Sequence, residues 1–302
     1  MKAFQHILLA TDLSERSESA VQRVLQIGHV GIEELRLLHV LSGSLMEELK
    51  RLISGNMPAR LEDNARRQLE AEVEQFMQLQ GAKVEGRLEI GRPFAVIAAQ
   101  AAEMNALLVI GAHRNHAVRD WFQGSMLERI LSCSQQPLLV VKQSAQTPYR
   151  RVLVPVDFSA SSAAAVDAAL KMAPEAEITL LNVFEIPFES KLRFAGVSDA
   201  EMAGYRASSK QQAERDMTAF IGTLPDVPNG RLNRVLEYGY APEVIIGYAE
   251  QLACDLIVMG RYGKSGVEQL LLGSVTEYVT MECSCDIMVV NESEAARAKE
   301  KP

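Results

Sequence analysis

Around residue 260 the chain spaces its glycines in a way that suits an anion. Gly260-Arg261-Tyr262-Gly263 follows the apolar run 256–259, and nine residues later Gly273-Ser274-Val275-Thr276 opens a segment of helical period. Glycine after a strand tolerates positive φ and lets the main chain come close to a ligand, so that successive amide N–H groups form a nest. Glycine and serine at a helix start add unpaired N–H groups, a hydroxyl and the positive end of the helix dipole. Together the two pieces can hold a polyphosphate from two sides. Asp157, at the end of the apolar run 152–156, offers a carboxylate on the same sheet edge to the hydroxyls of a ribose or to a base. The same residues also read as turns and caps, with Ser274 starting a helix and Asp157 and Ser159 capping the next one. Spacing alone leaves both readings open.

Two commoner phosphate motifs are excluded. Gly263-Lys264-Ser265 ends like a P-loop, but the position that requires its first glycine is Val258, inside an apolar run. A dinucleotide fingerprint requires Gly-x-Gly-x-x-Gly after the first strand, where this chain has Asp157-Phe158-Ser159. Cys283 and Cys285 have no nearby partners at metal-ligand spacing and read as small residues beside a strand. His39, His113 and His116 read as structural or exposed histidines, and Trp121 and Phe122 as packing residues.

The elements that position these residues occur twice. His6 to Ser14, with Asp12 in sixth place after the histidine, returns as Arg151 to Ser159 with Asp157 in the same place. Glu89 to Ile97 answers Glu237 to Ile245, Leu107 to Gly111 answers Leu256 to Gly260, and Gly124-Ser125 answers Gly273-Ser274. The chain is a tandem duplication, joined in the polar stretch 144–148, with domains expected at 1–146 and 147–302. In the second half, strands are expected at 152–156, 178–183, 232–237, 256–259 and 287–290, and helices at 161–172, 200–222, 242–253 and 274–281. The first half repeats the scheme, with a long helix at 59–79. Strands alternating with helices imply right-handed crossovers and a mostly parallel sheet covered on both faces, so each half is read as a small α/β domain. Ligands of such sheets sit beyond the carboxyl ends of the strands, where strand order reverses. The connections 41–57 and 184–198 are long and read as lids or partner surfaces, and Phe184, Ile186, Phe188, Leu192 and Phe194 as an apolar cover or plug.

A length of 302 residues and 48% hydrophobic composition supply material for two cores. The net charge of −8 opposes a phosphate backbone, and no basic patch overrides it, so nucleic-acid binding is not expected. Up to residue 147 there are 16 Lys and Arg against 17 Asp and Glu, and after it 15 against 22; the acidic excess therefore lies in the half with the complete glycine set. No run approaches a membrane span and no signal peptide is legible, so a cytoplasmic chain is expected. Four cysteines, too few and too clustered for a disulfide framework, agree with a reducing compartment.

The pattern Gly-x2-Gly-x9-Gly-Ser at Gly260, Gly263, Gly273 and Ser274, with Pro155-Val156-Asp157-x-Ser159 on the first strand, resembles the nucleotide-binding signature of the universal stress protein A family. The resemblance covers nearly the whole chain twice, as in a tandem, E-like member. It implies the α/β fold class of two tandem Rossmann-like domains, each a five-stranded parallel sheet with helices on both faces, and ATP, with or without Mg2+, bound at the strand ends. Val156, Asp157 and Val183 would contact the adenosine. Gly260, Arg261, Gly263, Gly273, Ser274, Val275 and Thr276 would hold the phosphates, and Pro155 and Met259 complete the candidate set. No catalytic or metal-ligating residue is implied. In the first half the motif reads Gly111-Ala112-His113-Arg114, then nine residues, then Gly124-Ser125. Arg114 replaces the second glycine; its Cβ disfavours left-handed backbone by about 1 kcal/mol or more, and its side chain can fill the phosphate space. The first half is therefore expected to bind ATP weakly or not at all, with Asp12, Gly111, Gly124 and Ser125 serving the fold. The last strands, 138–141 and 287–290, would be exposed edges unless paired, which leads to an intramolecular pseudo-dimer and leaves room for a homodimer. An unidentified protein partner would read the bound state. Slow ATP hydrolysis or nucleotidyl transfer, and a nucleotide-independent scaffold for a protein or lipid-like ligand, are the alternatives.

Overall fold

The computed structural model describes residues 4–14, 17–27, 31–52, 56–77, 79, 81–112, 125–186, 188–224, 230–263 and 272–291. Two compact units divide the chain, Met1–Pro148 with Ser284–Met288, and Tyr149–Cys283 with Val289–Pro302.

In the first unit, β1 (His6–Ala10), β2 (Glu34–Ser42), β3 (Lys83–Gly91), β4 (Leu107–Gly111) and β5 (Leu138–Val141) run parallel in the order β3-β2-β1-β4-β5. The helices are α1 (Ser17–Ile27), α2 (Gly43–Leu52), α3 (Met57–Gln75), α4 (Pro93–Met104) and α5 (Ser125–Cys133). Right-handed crossovers place α1 and α3 on one face and α4 and α5 on the other. Ile7, Leu8 and Leu9 on β1, and Leu107 to Ile110 on β4, are accordingly buried without alternation. The edge strand β3 carries Lys83, Glu85, Arg87 and Glu89, charges that discourage a further strand from pairing there.

The second unit repeats the plan. β6 (Arg151–Pro155), β7 (Glu177–Phe184), β8 (Leu232–Tyr238) and β9 (Leu256–Gly260) run parallel in the order β9-β6-β7-β8. Its helices are α6 (Ala160–Met172), α7 (Glu189–Phe194), α8 (Asp199–Ile221), α9 (Ala241–Gln251) and α10 (Ser274–Glu282). Ser159 Oγ accepts from Ser162 N to cap α6, and Ser198 with Glu201 forms a capping box at α8. The last strand, β10 (Asp286–Val290), is divided, its residues through Met288 falling with the first unit.

The duplication extends to backbone strain. Leu13 and Phe158, each just after the aspartate that both repeats share, adopt left-handed φ, at 58° and 67°. The two long connections are not open loops, since 41–57 contains α2 and 184–198 contains α7. Nor do the aromatic residues of 184–198 form a packed plug: Ile186 is buried and Phe184 lies against the Tyr238 ring at 5.9 Å, while Phe188 and Phe194 are 73% and 94% exposed. Among the described residues no helix is long and apolar enough to cross a membrane.

Two polar groups in the first unit, one buried and one half-buried, bear on its stability. Asp286 is fully buried; its Oδ2 lies 3.1 Å from Arg23 Nε and its Oδ1 accepts from the N–H groups of Lys142 and Gln143 at 2.8 and 2.9 Å. Glu72 on α3 accepts from Thr11 Oγ1 at 3.1 Å, and burial, with the like charges of Asp12 and Glu18, pushes its carboxyl up to about 7. The unfolded chain releases that proton near the ordinary value of 4.5, so between about pH 4.5 and 7 the folded state holds more protons and stability falls as pH rises. Glu72→Gln is expected to remove this slope and to stabilise the chain by about 1 kcal/mol at pH 8, the group's partial exposure reducing the effect. Urea unfolding at pH 5 and pH 8 measures it; equal slopes in both proteins would contradict this reading of Glu72.

Candidate functional site

At the carboxyl ends of β6 and β9, where strand order reverses, lies a cavity of about 210 Å3. Val156, Leu181, Val183, Ile245 and Met259 form its apolar wall. Its polar end is built by Asp157, Ser162, Gly260, Gly263 and the first turn of α10.

Asp157 closes the turn that leads into α6. Its Oδ1 accepts from Ser159 N at 3.1 Å and Ser162 Oγ at 2.6 Å, while Asp157 N donates to Ser162 Oγ at 3.0 Å. This closed turn holds Phe158 in its left-handed conformation and fixes the carboxylate. Oδ2 faces Gly263, where a Cβ would stand only 3.0 Å away. The turn engages Oδ1, and Oδ2 is the oxygen on the Gly263 side.

The glycines are required for contact, not for positive φ, which corrects the expectation from sequence. Gly260, Gly263 and Gly273 all lie outside the left-handed region, and Gly273 has φ −63°. A Cβ on Gly260 would come within 2.5 Å of Ser161 Oγ and 2.9 Å of the Ser161 carbonyl carbon, so this glycine admits the start of α6 against the end of β9. A Cβ on Gly273 would stand 3.1 Å from Arg261 O. Gly273 N donates to that same carbonyl at 3.0 Å, and so brings the two ends of the glycine motif together.

With Gly273 N engaged, the amides that face the cavity without an acceptor inside α10 are those of Ser274, Val275 and Thr276. These three N–H groups, at the positive end of the helix dipole, are the natural seat for an anion. The Thr276 hydroxyl is committed elsewhere, donating to Gly260 O at 2.9 Å.

Of the residues expected from sequence, Pro155, Val156, Asp157, Val183, Met259, Gly260, Gly263, Gly273, Ser274, Val275 and Thr276 all line this cavity. Arg261 does not. It is 1% exposed and turned into the protein, with its N–H donating to Val290 O at 2.8 Å, so its part in the site is main-chain geometry. Ser162, Leu181, Ala241, Ile245 and Tyr262 line the cavity without having been singled out. Ser162 was legible, because Asp-x-Ser-x-x-Ser stands at Asp157, Ser159 and Ser162 and again at Asp12, Ser14 and Ser17.

The first unit keeps the turn. Asp12 Oδ1 accepts from Ser14 N at 3.1 Å and Ser17 Oγ at 2.7 Å, and Asp12 N donates to Ser17 Oγ at 3.1 Å. His39 Nδ1 bonds Thr11 O at 2.9 Å where Asn182 Nδ2 bonds Val156 O at 2.8 Å in the second unit. Burial lowers the pKa of His39, and because a carbonyl only accepts, it is Nδ1–H that donates in this bond. Gly111 is buried at the end of β4. Arg114 and Gly124 lie outside the described residues, as do His113, His116, Trp121 and Phe122. Cys254, Cys283 and Cys285 are buried thiols, and burial pushes Cys254 up to about 11, which keeps it protonated.

Two Rossmann-like α/β units, the second with a cavity at its switch point, define the class of doubly wound α/β folds. The sequence profile described as the universal stress protein family matches residues 3–142 and again 148–291, so the chain belongs to that family and carries its domain in tandem. A universal stress protein of Methanocaldococcus jannaschii is 30% identical over 154 residues, 47% of this chain and 94% of the relative. A second from the same organism is 23% identical over 150 residues, 50% of this chain and 86% of the relative. The crystal structure of a universal stress protein from Archaeoglobus fulgidus matches 96% of this chain and 99% of its own at a TM-score of 0.68 and 22% identity, a likeness of fold.

Proposed function

We propose that this chain is a cytoplasmic ATP-binding regulatory protein of the stress response, with repeats at 1–146 and 147–302 and one competent nucleotide site, in the second. The observation that carries the reading is the juxtaposition, in one cavity, of an apolar slot, the Asp157 carboxylate and the three helix-start amides. The slot suits a flat base, Asp157 Oδ2 suits ribose hydroxyls, and the amides suit phosphates. Because the second half is acidic, affinity for the anion rests on these local N–H groups. Mg2+ would travel with the phosphates, since Asp157 is the sole carboxylate among the described lining residues and its Oδ1 is engaged. ATP acts as a ligand whose occupancy stabilises the second unit, by about 2.7 kcal/mol at a hundredfold excess over Kd, and so sets what a partner protein meets. Pairing of the two repeats within one chain is part of the same proposal.

Mass spectrometry of small molecules released from freshly purified protein tests the reading. Adenine nucleotide released from the wild type and absent from Gly263→Arg is the expected result. Protein that carries no nucleotide and binds none on addition would instead favour a nucleotide-independent scaffold.

A further inference from the structure

A second cleft, of about 580 Å3, lies in the first unit at the ends of β2 and β3. Arg92, the N-cap of α4, and Arg129 on α5 project into it, together with Phe94, Ser42, Ser44 and Glu47. The Arg129 guanidinium sits over the Phe94 ring at 5.2 Å, which holds it in place without neutralising it. Among the described residues neither arginine has a carboxylate or hydrogen-bonding partner for its side chain. Ser42 and Ser44 share one hydrogen bond at 2.9 Å and present their hydroxyls to the same space. A Cβ on Gly91 would come within 2.9 Å of Val96 Cγ2, so glycine there lets β3 turn tightly into the segment that bears Arg92.

The second unit provides an internal control. Its cleft at the corresponding ends of β7 and β8 is lined by Glu185, Glu189, Lys191, Arg193, Tyr238 and Tyr240 among others, with Tyr240 where the first repeat has Arg92. There the lining charges balance: Arg193 pairs with Glu189 at 2.9 Å and Asp199 at 3.3 Å, and Lys191, over the Phe188 ring at 5.3 Å, is matched in number by Glu185. One cleft has its charge cancelled internally, and the other holds two guanidinium forks open against a single acidic side chain, Glu47.

We propose that the first unit binds a small phosphorylated metabolite in this cleft, Arg92 and Arg129 taking the phosphoryl group and Glu47, Ser42 and Ser44 its hydroxyls. Guanidinium forks match phosphoryl oxygens bidentately, and charge-assisted bonds of this kind are the strong ones. The first repeat, having lost the second glycine of its nucleotide motif, thereby keeps a ligand of a different class. This site is separate from the nucleotide cavity of the second unit and stands or falls independently of it.

Calorimetry of the full chain with ribose 5-phosphate, ribose and inorganic pyrophosphate tests the proposal. The wild type binds ribose 5-phosphate and pyrophosphate at a site that ribose alone does not fill. Arg92→Ala and Arg129→Ala each weaken that site by about tenfold or more, and Arg129→Lys retains part of it. Both arginines are exposed, so the variants keep wild-type circular dichroism and thermal midpoint. Their ATP stoichiometry also stays that of the wild type. Wild-type protein that binds neither phosphate compound at millimolar concentration, or an Arg92→Ala/Arg129→Ala protein that binds them unchanged, would overturn it.

Discussion

Gly263→Arg is expected to weaken ATP binding by about 100-fold or more, equivalent to roughly 2.7 kcal/mol, while the chain stays folded. The Cβ alone would stand 3.0 Å from Asp157 Oδ2, tighter than an ordinary contact, so the carboxylate must give way before the rest of the side chain is placed. The remainder of the arginine then enters a cavity of only about 210 Å3, beside the helix-start amides. Its positive charge favours an anion, which makes the variant a contest between charge and space. Gly263→Ala separates the two, since it adds the Cβ without the charge and is expected to lose about tenfold. Isothermal titration with ATP measures both variants, and an affinity in Gly263→Arg equal to or above the wild type's would show that charge wins. The first repeat carries an arginine at the matching position, Arg114, so this substitution also asks whether one residue suffices to silence a repeat.

Asp286→Ala is expected to destabilise the first unit by about 3–5 kcal/mol, although residue 286 lies near the end of the chain. The substitution leaves Arg23, 2% exposed, without its carboxylate and deprives Lys142 N and Gln143 N of their acceptor. The Arg23 bond to Thr147 O at 3.0 Å is to a neutral acceptor and does not replace the carboxylate. Asp286→Asn keeps an acceptor for the two amides and is expected to fall between Ala and the wild type. Denaturant unfolding followed separately on the two units shows it: the loss should appear in the transition of the first unit. A change below about 1 kcal/mol in Asp286→Ala would contradict the role assigned to the pair.

The lining of the cavity is more legible in the sequence than the residues that support it. Glycine spacing was legible because close backbone approach leaves few residue types to choose from, and Gly260 against Ser161 shows how little room there is. The reason attached to it was wrong in detail, since contact distance and not positive φ excludes a side chain at these positions. Arg261 was misplaced because a motif records order along the chain and not the direction of a side chain. Of the helices inside the two long connections, α7 buries no residue and prints no period on the sequence, whereas α2 does carry one in Leu45, Leu49 and Leu52, although Met46 alone is buried there. Asp286 could not be foreseen, because its partner Arg23 is 263 residues away and neither residue is repeated in the other half. Ser162 was readable in principle, the repetition of Asp-x-Ser-x-x-Ser being the signal.

The asymmetry of two like-folded repeats is the central claim, and the stoichiometry of ATP binding to the intact chain tests it most directly. Titration calorimetry on the wild-type protein is predicted to give one equivalent of ATP per chain, abolished by Gly263→Arg. Two equivalents of similar affinity, or one equivalent that survives Gly263→Arg, would contradict it.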